Sequence, residues 1–414
     1  MIPVRLFYNL LITLSWPVLG LVALFNTKIG LFVGGRKKAK HILKSSPLNN
    51  EPCIWMHVAS LGEYEQGLPI LEKIRAAYPS HKLVLTFFSP SGYEVKKDTN
   101  AADLILYLPM DTHSNAKMFL DQLKPELAIF IKYEIWPNYL RQLEQRNIPT
   151  LLVSAIFSKR QIFFKPWGGF MRKSLKAFTH FFVQDQKSQE LLKNINYHNV
   201  SISGDTRFDR VSEILQRDNQ LGFMDSFKNG QCCLVAGSTW AEDEEILMDH
   251  INSSSGEIKY VLAPHTIKPA HVERIKAAIS KKVVCFSKIE NKNLGEYEVL
   301  IIDTIGLLTK IYSYANIAYV GGAFATGLHN TLEPAVYGIP VIIGPDYHGF
   351  KEAEDLVNKG GIHVITHKTE FRSIMDRLTT DSGFAQEVGA INSSYIQQNV
   401  GATEQVLGLV KTIL

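Results

Sequence analysis

With 414 residues, 46% hydrophobic and 20% charged, the chain is longer than one hydrophobic core usually supports, so two domains are expected. A net charge of +4 is too small for the electrostatic footprint of a genome-binding protein, and no nucleic-acid partner is expected. Cys53, Cys232, Cys233 and Cys285 sit in apolar, strand-like runs without metal-ligand spacing, which reads as buried thiols in a reducing compartment and gives a structural zinc no support.

The first segment differs from everything after it. Residues 7–25, FYNLLITLSWPVLGLVALF, carry no charge over roughly the length that crosses hydrocarbon, with Trp16 and Pro17 inside. No small-residue cleavage site stands out before the basic run Lys28, Arg36, Lys37, Lys38 and Lys40, so a membrane anchor, spanning or re-entrant, is preferred to a cleaved signal peptide. A buried helix would have the same composition. The basic run outweighs Arg5 and the amino terminus, which keeps the bulk of the protein on the cytoplasmic side. Residues 1–35 are therefore assigned as anchor and basic flank, and 45–52 as a short linker.

Short apolar runs then recur with amphipathic stretches between them, at 53–58, 82–88, 104–108, 127–131, 150–153, 181–184 and 200–203. A second series follows at 232–236, 259–263, 282–286, 299–302, 317–320, 341–343 and 361–365. Buried strands alternating with helices predict parallel, doubly wound sheets. Two such series predict two Rossmann-like domains, 45–210 and 211–414, facing a cleft, with a hinge near 204–225.

In the first domain HVASLGEYEQG, residues 57–67, begins at a strand's end, where open α/β sheets bind ligands, so Glu63 is expected to face the cleft. A glutamate serving only the helix dipole would read the same way, and Glu65 is its exposed-face counterpart. Residues 157–182 mix aromatics with Lys159, Arg160, Lys165, Arg172, Lys173 and Lys176 and contain no acid. That suits an anionic membrane surface or a phosphorylated amphiphile, or else the solvated face of a core helix.

In the second domain Gly237-Ser238-Thr239 follows a strand and precedes an acidic helix, as an anion-binding turn would. Pro264-His265 ends the next strand, with Lys268, His271 and Arg274 as a lining for a phosphate or as ordinary surface charge. Residues 303–306, DTIG, give a further cap and turn. Residues 320–345, VGGAFATGLHNTLEPAVYGIPVIIGP, read as strand, glycine loop, helix and strand, with Asn330 or Thr331 capping a helix that begins at Leu332. Gly322 lets backbone approach a ligand, His329 and Asn330 open the helix, and Glu333 is placed to accept bonds from sugar hydroxyls. HExxH, GxxxxGK[ST], GxSxG and GxGxxG are all missing, which disfavours metalloproteases, P-loop enzymes, α/β hydrolases and ordinary dehydrogenases.

Taken in order, the apolar amino-terminal segment, HVASLGEYEQG, EIWPN at 134–138, GDTRFDRV at 204–211, AGST at 236–239, DTIG and GLHNTLEPAVYGIPVIIGP resemble the 3-deoxy-D-manno-octulosonic acid (Kdo) transferases of lipopolysaccharide synthesis over nearly the whole chain. The resemblance implies the two-domain GT-B glycosyltransferase fold. It also implies transfer of Kdo from CMP-Kdo to the 6′-hydroxyl of the lipid A precursor, with inversion, at the cytoplasmic face of the inner membrane. Neither metal nor cofactor is implied, CMP-Kdo being a co-substrate.

On the matching positions Glu63 is the expected general base. Gly237, Ser238, Thr239, Pro264, His265, Gly322, His329, Asn330 and Glu333 form the expected donor site. Ser60, Gly62, Glu134, Arg160, Arg172 and Lys173 form the expected acceptor site. Three departures stand out. Many members carry Glu-Thr-Glu where this chain has Lys132-Tyr133-Glu134, many carry Pro-Arg-His where it has Pro264-His265, and Asp205 replaces a common Asn. Two other classes fit parts of the pattern. A nucleotide-sugar epimerase would explain the nucleotide site but not the anchor, and a lipid-binding scaffold would explain the anchor but not Glu63, His329 and Glu333 together.

Overall fold

The computed structural model describes residues 2–46, 48, 51–254, 258–325 and 327–414; Pro47, Asn49 and Asn50 of the expected linker lie outside the described residues. The chain forms two compact units, Met1–Arg210 with Val400–Leu414, and Val211–Asn399.

The first unit is built on β1 (Cys53–Val58), β2 (Lys82–Phe87), β3 (Leu104–Tyr107), β4 (Leu127–Ile131), β5 (Thr150–Ala155), β6 (His180–Val183) and β7 (Val200–Ile202). They form one parallel sheet in the order β3-β2-β1-β4-β5-β6-β7. Alternate side chains explain the unbroken apolar runs: Cys53 and Trp55 enter one core, whereas Ile54, Met56 and Val58 enter the core on the opposite face.

The second unit repeats the plan with β8 (Cys232–Thr239), β9 (Ile258–Pro264), β10 (Val283–Cys285), β11 (Val299–Ile301), β12 (Ile317–Val320), β13 (Val341–Ile343) and β14 (Ile362–Val364). Their order is β10-β11-β9-β8-β12-β13-β14, again parallel. Each expected apolar run is a strand, with ends displaced by a few residues. In each sheet the winding reverses once, between β1 and β4 and between β8 and β12. Ligand crevices of open sheets form at the carboxyl ends of the strands at such a reversal.

Three assignments at the edges of the units change. Helix α1 (Ile2–Val22) is followed by α2 (Thr27–Lys44), which is not a solvated basic flank. Ala39 and Leu43 join the first unit's core, and Arg36 is only 4% exposed. Its guanidinium lies 3.6 Å from the Phe32 ring centre and 4.5 Å from that of Phe88, and donates to the Phe88 carbonyl at 2.8 Å. Ring faces and a carbonyl replace the water it loses.

The closing helix, Ala402–Ile413, packs on the first unit, although its sequence position places it in the second. Val406, Leu407 and Val410 join Ile54, Met56 and Leu71 in one cluster, and Asp209 accepts hydrogen bonds from the backbone N–H groups of Gly401 and Thr403. Finally, the aromatics of residues 157–182 are mostly core. Phe157, Phe163, Phe178, Phe181 and Phe182 are buried, and Trp167 stays 75% exposed.

Helix α1 itself keeps its apolar residues outside. Leu6, Phe7, Leu10, Leu14, Val18 and Leu21 are each more than half exposed. A chain beginning at Asn26 retains the side chain that caps α2 and should unfold within about 1 kcal/mol of the full-length protein in the same detergent. Arg36→Ala should lower the stability of the first unit by about 2 kcal/mol. Urea unfolding of the two variants checks both, and equal effects would remove the distinction drawn between α1 and α2.

Candidate active site

The chemistry of the first unit gathers where its sheet reverses. β1 ends at Val58, and α3 (Leu61–Ala77) starts with Ser60 as its cap, the hydroxyl accepting from the Glu63 N–H at 3.5 Å. The Glu63 carboxylate turns back to accept from the Ala59 N–H, the reciprocal arrangement of a capping box displaced by one residue. Gly62 beside it is exposed, with open space where a Cβ would stand.

β4, the strand across the reversal, runs into Lys132, whose φ of +65° is left-handed, and then into Glu134. Glu63 is 6% exposed and Glu134 8%. Burial, reinforced by the negative charge of Glu134, pushes the Glu63 carboxyl up to about 7, against the opposing pull of the Ala59 N–H and of Lys132.

Glu134 is itself held. Trp136 Nε1 donates to its carboxylate at 2.9 Å, and His57 Nε2 lies 3.1 Å away. His57 is wholly buried, with Nδ1 2.8 Å from the Thr86 hydroxyl, to which Trp55 Nε1 also donates. Of this polar thread from Trp55 to Glu134, Glu134 alone was among the expected site residues. His57 and Trp136 both stand inside motifs already read, but only the fold brings them together.

The second unit places its cluster at the corresponding reversal. β8 finishes with Gly237, where a Cβ would lie 2.0 Å from the Tyr312 hydroxyl, and Ser238, at a left-handed φ of +55°. Trp240 then caps the helix Ala241–Ser253. Asp243, fully buried in that helix's first turn, accepts from the N–H groups of Trp240 and Gly322, both at 2.9 Å, and from the Tyr319 hydroxyl at 2.7 Å. It ties the start of one loop to the glycine loop after β12. Gly322, φ +98°, has no room for a side chain, since a Cβ would sit 2.4 Å from the Gly327 carbonyl.

Three rings lie over this junction. Trp240 stacks on His265 at 4.5 Å, and His265 stacks on His329 at 4.8 Å. His265 directly follows Pro264, the last residue of β9. Trp240 Nε1–H donates to His329 Nε2 at 3.1 Å, so that nitrogen is an acceptor and the ring's proton sits on Nδ1. Burial, with His265 adding to it, lowers the His329 pKa and favours the same neutral form.

Other expected donor residues take more internal roles. The helix after Asn330 is a single turn, Leu332–Ala335, and Asn330 accepts from the Leu332 N–H at 3.1 Å. Glu333 lies between Asn330 Nδ2 at 3.1 Å and the Thr309 hydroxyl at 3.2 Å. Thr239 donates to buried Glu244, which also binds His271 at 2.9 Å and Arg274 at 3.0 Å. The expected phosphate lining at His271 and Arg274 is thus committed to an internal carboxylate. Of the acceptor cations, Arg160 and Lys173 are exposed, whereas Arg172 is engaged by the Phe163 and Lys165 carbonyls, both at 2.8 Å.

Residues 35–210 match the family model described as 3-deoxy-D-manno-octulosonic-acid transferase (kdotransferase). A 3-deoxy-D-manno-octulosonic acid transferase of Aquifex aeolicus is 28% identical over 353 residues, covering 82% of this chain and 91% of the relative. One from Haemophilus influenzae is 26% identical over 434 residues, covering 99% of each. Among solved structures, the UDP-GlcNAc 2-epimerase of Neisseria meningitidis bound to UDP-GlcNAc superposes with a TM-score of 0.63 at 14% identity, over 87% of this chain and all of that one. At that identity the likeness concerns the fold alone, which is GT-B.

Because the folded protein holds the Glu63 proton more tightly than the unfolded chain, ionising Glu63 costs stability. That cost is absent below the ordinary value of 4.5, grows from there and is complete above about 7. Glu63→Gln should therefore raise the melting temperature at about pH 8 by a few degrees and leave it almost unchanged at about pH 4.5. Calorimetry at the two pH values checks this, and an equal shift at both would mean that the carboxyl titrates as it does in water.

Proposed function

Since the chain belongs to the Kdo transferase family and is thereby a glycosyltransferase of lipopolysaccharide biosynthesis, we propose that it moves Kdo from CMP-Kdo to the 6′-hydroxyl of a lipid A precursor (lipid IVA) in one inverting displacement. The observation that carries this reading is Glu63, a buried carboxylate held near neutrality where the first sheet reverses.

In the proposed step the acceptor hydroxyl oxygen forms the new bond to the Kdo anomeric carbon while Glu63 takes its proton. The bond to the CMP phosphate breaks, and CMP leaves with the electron pair. A base for this step should have a pKa close to the working pH. Glu134 raises the affinity of Glu63 for the proton, and Lys132 favours the ionised form that must be present beforehand.

The second unit is the donor side of the proposal. Backbone N–H groups of the loops around Ser238 and beyond Gly322, whose own N–H is held by Asp243, would stabilise the charge growing on the departing phosphate without a cation. The Trp240, His265 and His329 rings offer a flat apolar surface beside it, and Glu333 would accept from the ribose hydroxyls. The exposed apolar face of α1 would enter the cytoplasmic leaflet of the inner membrane, where the acceptor lies.

The defining experiment follows CMP release from CMP-Kdo with and without a phosphorylated, acylated disaccharide acceptor. Release should depend on the lipid, and kcat/KM should rise with pH through about 7 as Glu63 ionises. Glu63→Gln should abolish that rise and lower kcat by about a hundredfold or more, while CMP affinity stays the same. Glu333→Ala should instead weaken CMP binding by roughly tenfold in calorimetry. Acceptor-independent release of CMP would sink the reading.

A further inference from the structure

Helix α1 does not project away from the first unit. Tyr8 donates to Asp111 at 2.7 Å, and Asn138 donates to Asn9 at 2.9 Å, so one face of α1 is pinned along the protein while the opposite face stays apolar and exposed. Between the pinned face and the helix Pro137–Gln145 runs a groove of about 910 Å³, with Arg5 and Asn9 on one wall and Asn138, Arg141 and Lys173 on the other. Leu6 and Phe170 line it as well.

The charges in this groove are not internally balanced. Among the described residues, none of Arg5, Arg141 and Lys173 has a carboxylate within ion-pair distance, and the polar partner of Arg5 is His113 at 3.5 Å. One carboxylate, Glu144, lines the groove against these three cations. Like charges gathered beside an apolar wall repel one another and lose hydration, and a bound anion relieves both costs. Leu6, Phe170 and the outer face of α1 in turn accept hydrocarbon. A ligand that carries a phosphate and an acyl chain on the same molecule satisfies both demands.

The groove-lining helix also begins close in the chain to the site around Glu63. Glu134 and Trp136 lead directly into Pro137, the first residue of the groove-lining helix. Asn138 lies four positions beyond Glu134, a reach of at most about 14 Å. A saccharide lipid seated there has its sugar within one molecular length of the base.

We infer that this groove seats the lipid acceptor itself, with a phosphate on Arg5, Arg141 and Lys173 and an acyl chain along α1, which therefore lies in the membrane surface and does not cross the bilayer. The inference rests on the reading of the acceptor as a phosphorylated, acylated saccharide.

The test uses the full-length enzyme in neutral detergent micelles, with two acceptors that differ only in carrying or lacking the phosphate. The Arg141→Ala/Lys173→Ala variant, altered at two exposed side chains, should raise KM for the phosphorylated acceptor by about tenfold or more. Its KM for the acceptor without the phosphate should change by less than about twofold, since a charge-assisted bond can be lost only where the phosphate is present. Equal changes with both acceptors would overturn the inference. So would an unaltered KM in detergent together with weaker binding to vesicles containing anionic phospholipid, which would give the groove to bulk lipid. Wild-type CMP release that ignores lipid altogether would instead remove the underlying functional reading.

Discussion

A parallel sheet covered on both faces has no surface of its own to offer a ligand. In both units the strands are buried by helices on either side, so polar chemistry is confined to strand ends. The reversal of winding then chooses which ends: those of β1 and β4 in one unit, and those of β8 and β12 in the other. Glu63 and Glu134 follow the first pair. Ser238, Trp240 and Gly322 follow the second. The remaining architecture keeps these ends in register, through the polar thread behind Glu134 and through Asp243, whose carboxylate joins three separate segments.

The two clusters solve opposite electrostatic problems. Around Glu63 two carboxylates share a poorly solvated space with a nearby lysine, so the proton affinity of one rises. Around Gly322 the buried Asp243 carboxylate is met by backbone N–H groups and the Tyr319 hydroxyl, beside a neutral imidazole and stacked rings, while the nearby basic side chains His271 and Arg274 are turned to Glu244. A site that accepts a proton benefits from raised proton affinity. A site that holds an anion through fixed dipoles needs no reorganisation.

Much of this plan was legible in the sequence. Strands buried on both faces must be nearly continuous apolar runs, which is why all fourteen stood out, and Glu63 was visible as a carboxylate opening a helix just beyond one of them. What escaped notice depended on partners remote in the chain. Arg36 read as part of a basic flank because the carbonyl it binds, that of Phe88, lies 52 residues away. The phenylalanines of residues 157–182 read as a membrane-facing patch because composition does not say which way a ring points, and most of them point into the core. Asp243 looked like one acid among several at a helix start, since its other partners, Tyr319 and Gly322, arrive from β12 and the loop beyond it. Glu333 was noticed, but its bonds to Thr309 and Asn330 were not.

The position of the closing helix bears on how the protein is made. Val406, Leu407 and Val410 fill the core beside Ile54, Met56 and Leu71, so the first unit cannot finish packing until Ala402–Ile413 has been synthesised. At roughly 5 to 20 residues per second, the stretch Val211–Asn399 occupies the ribosome for on the order of ten to forty seconds. Throughout that interval the earlier sheet waits with an apolar face uncovered. The first unit is thus completed only after the second has been made, and a chain lacking Ala402–Ile413 would leave that face open to aggregation and proteolysis.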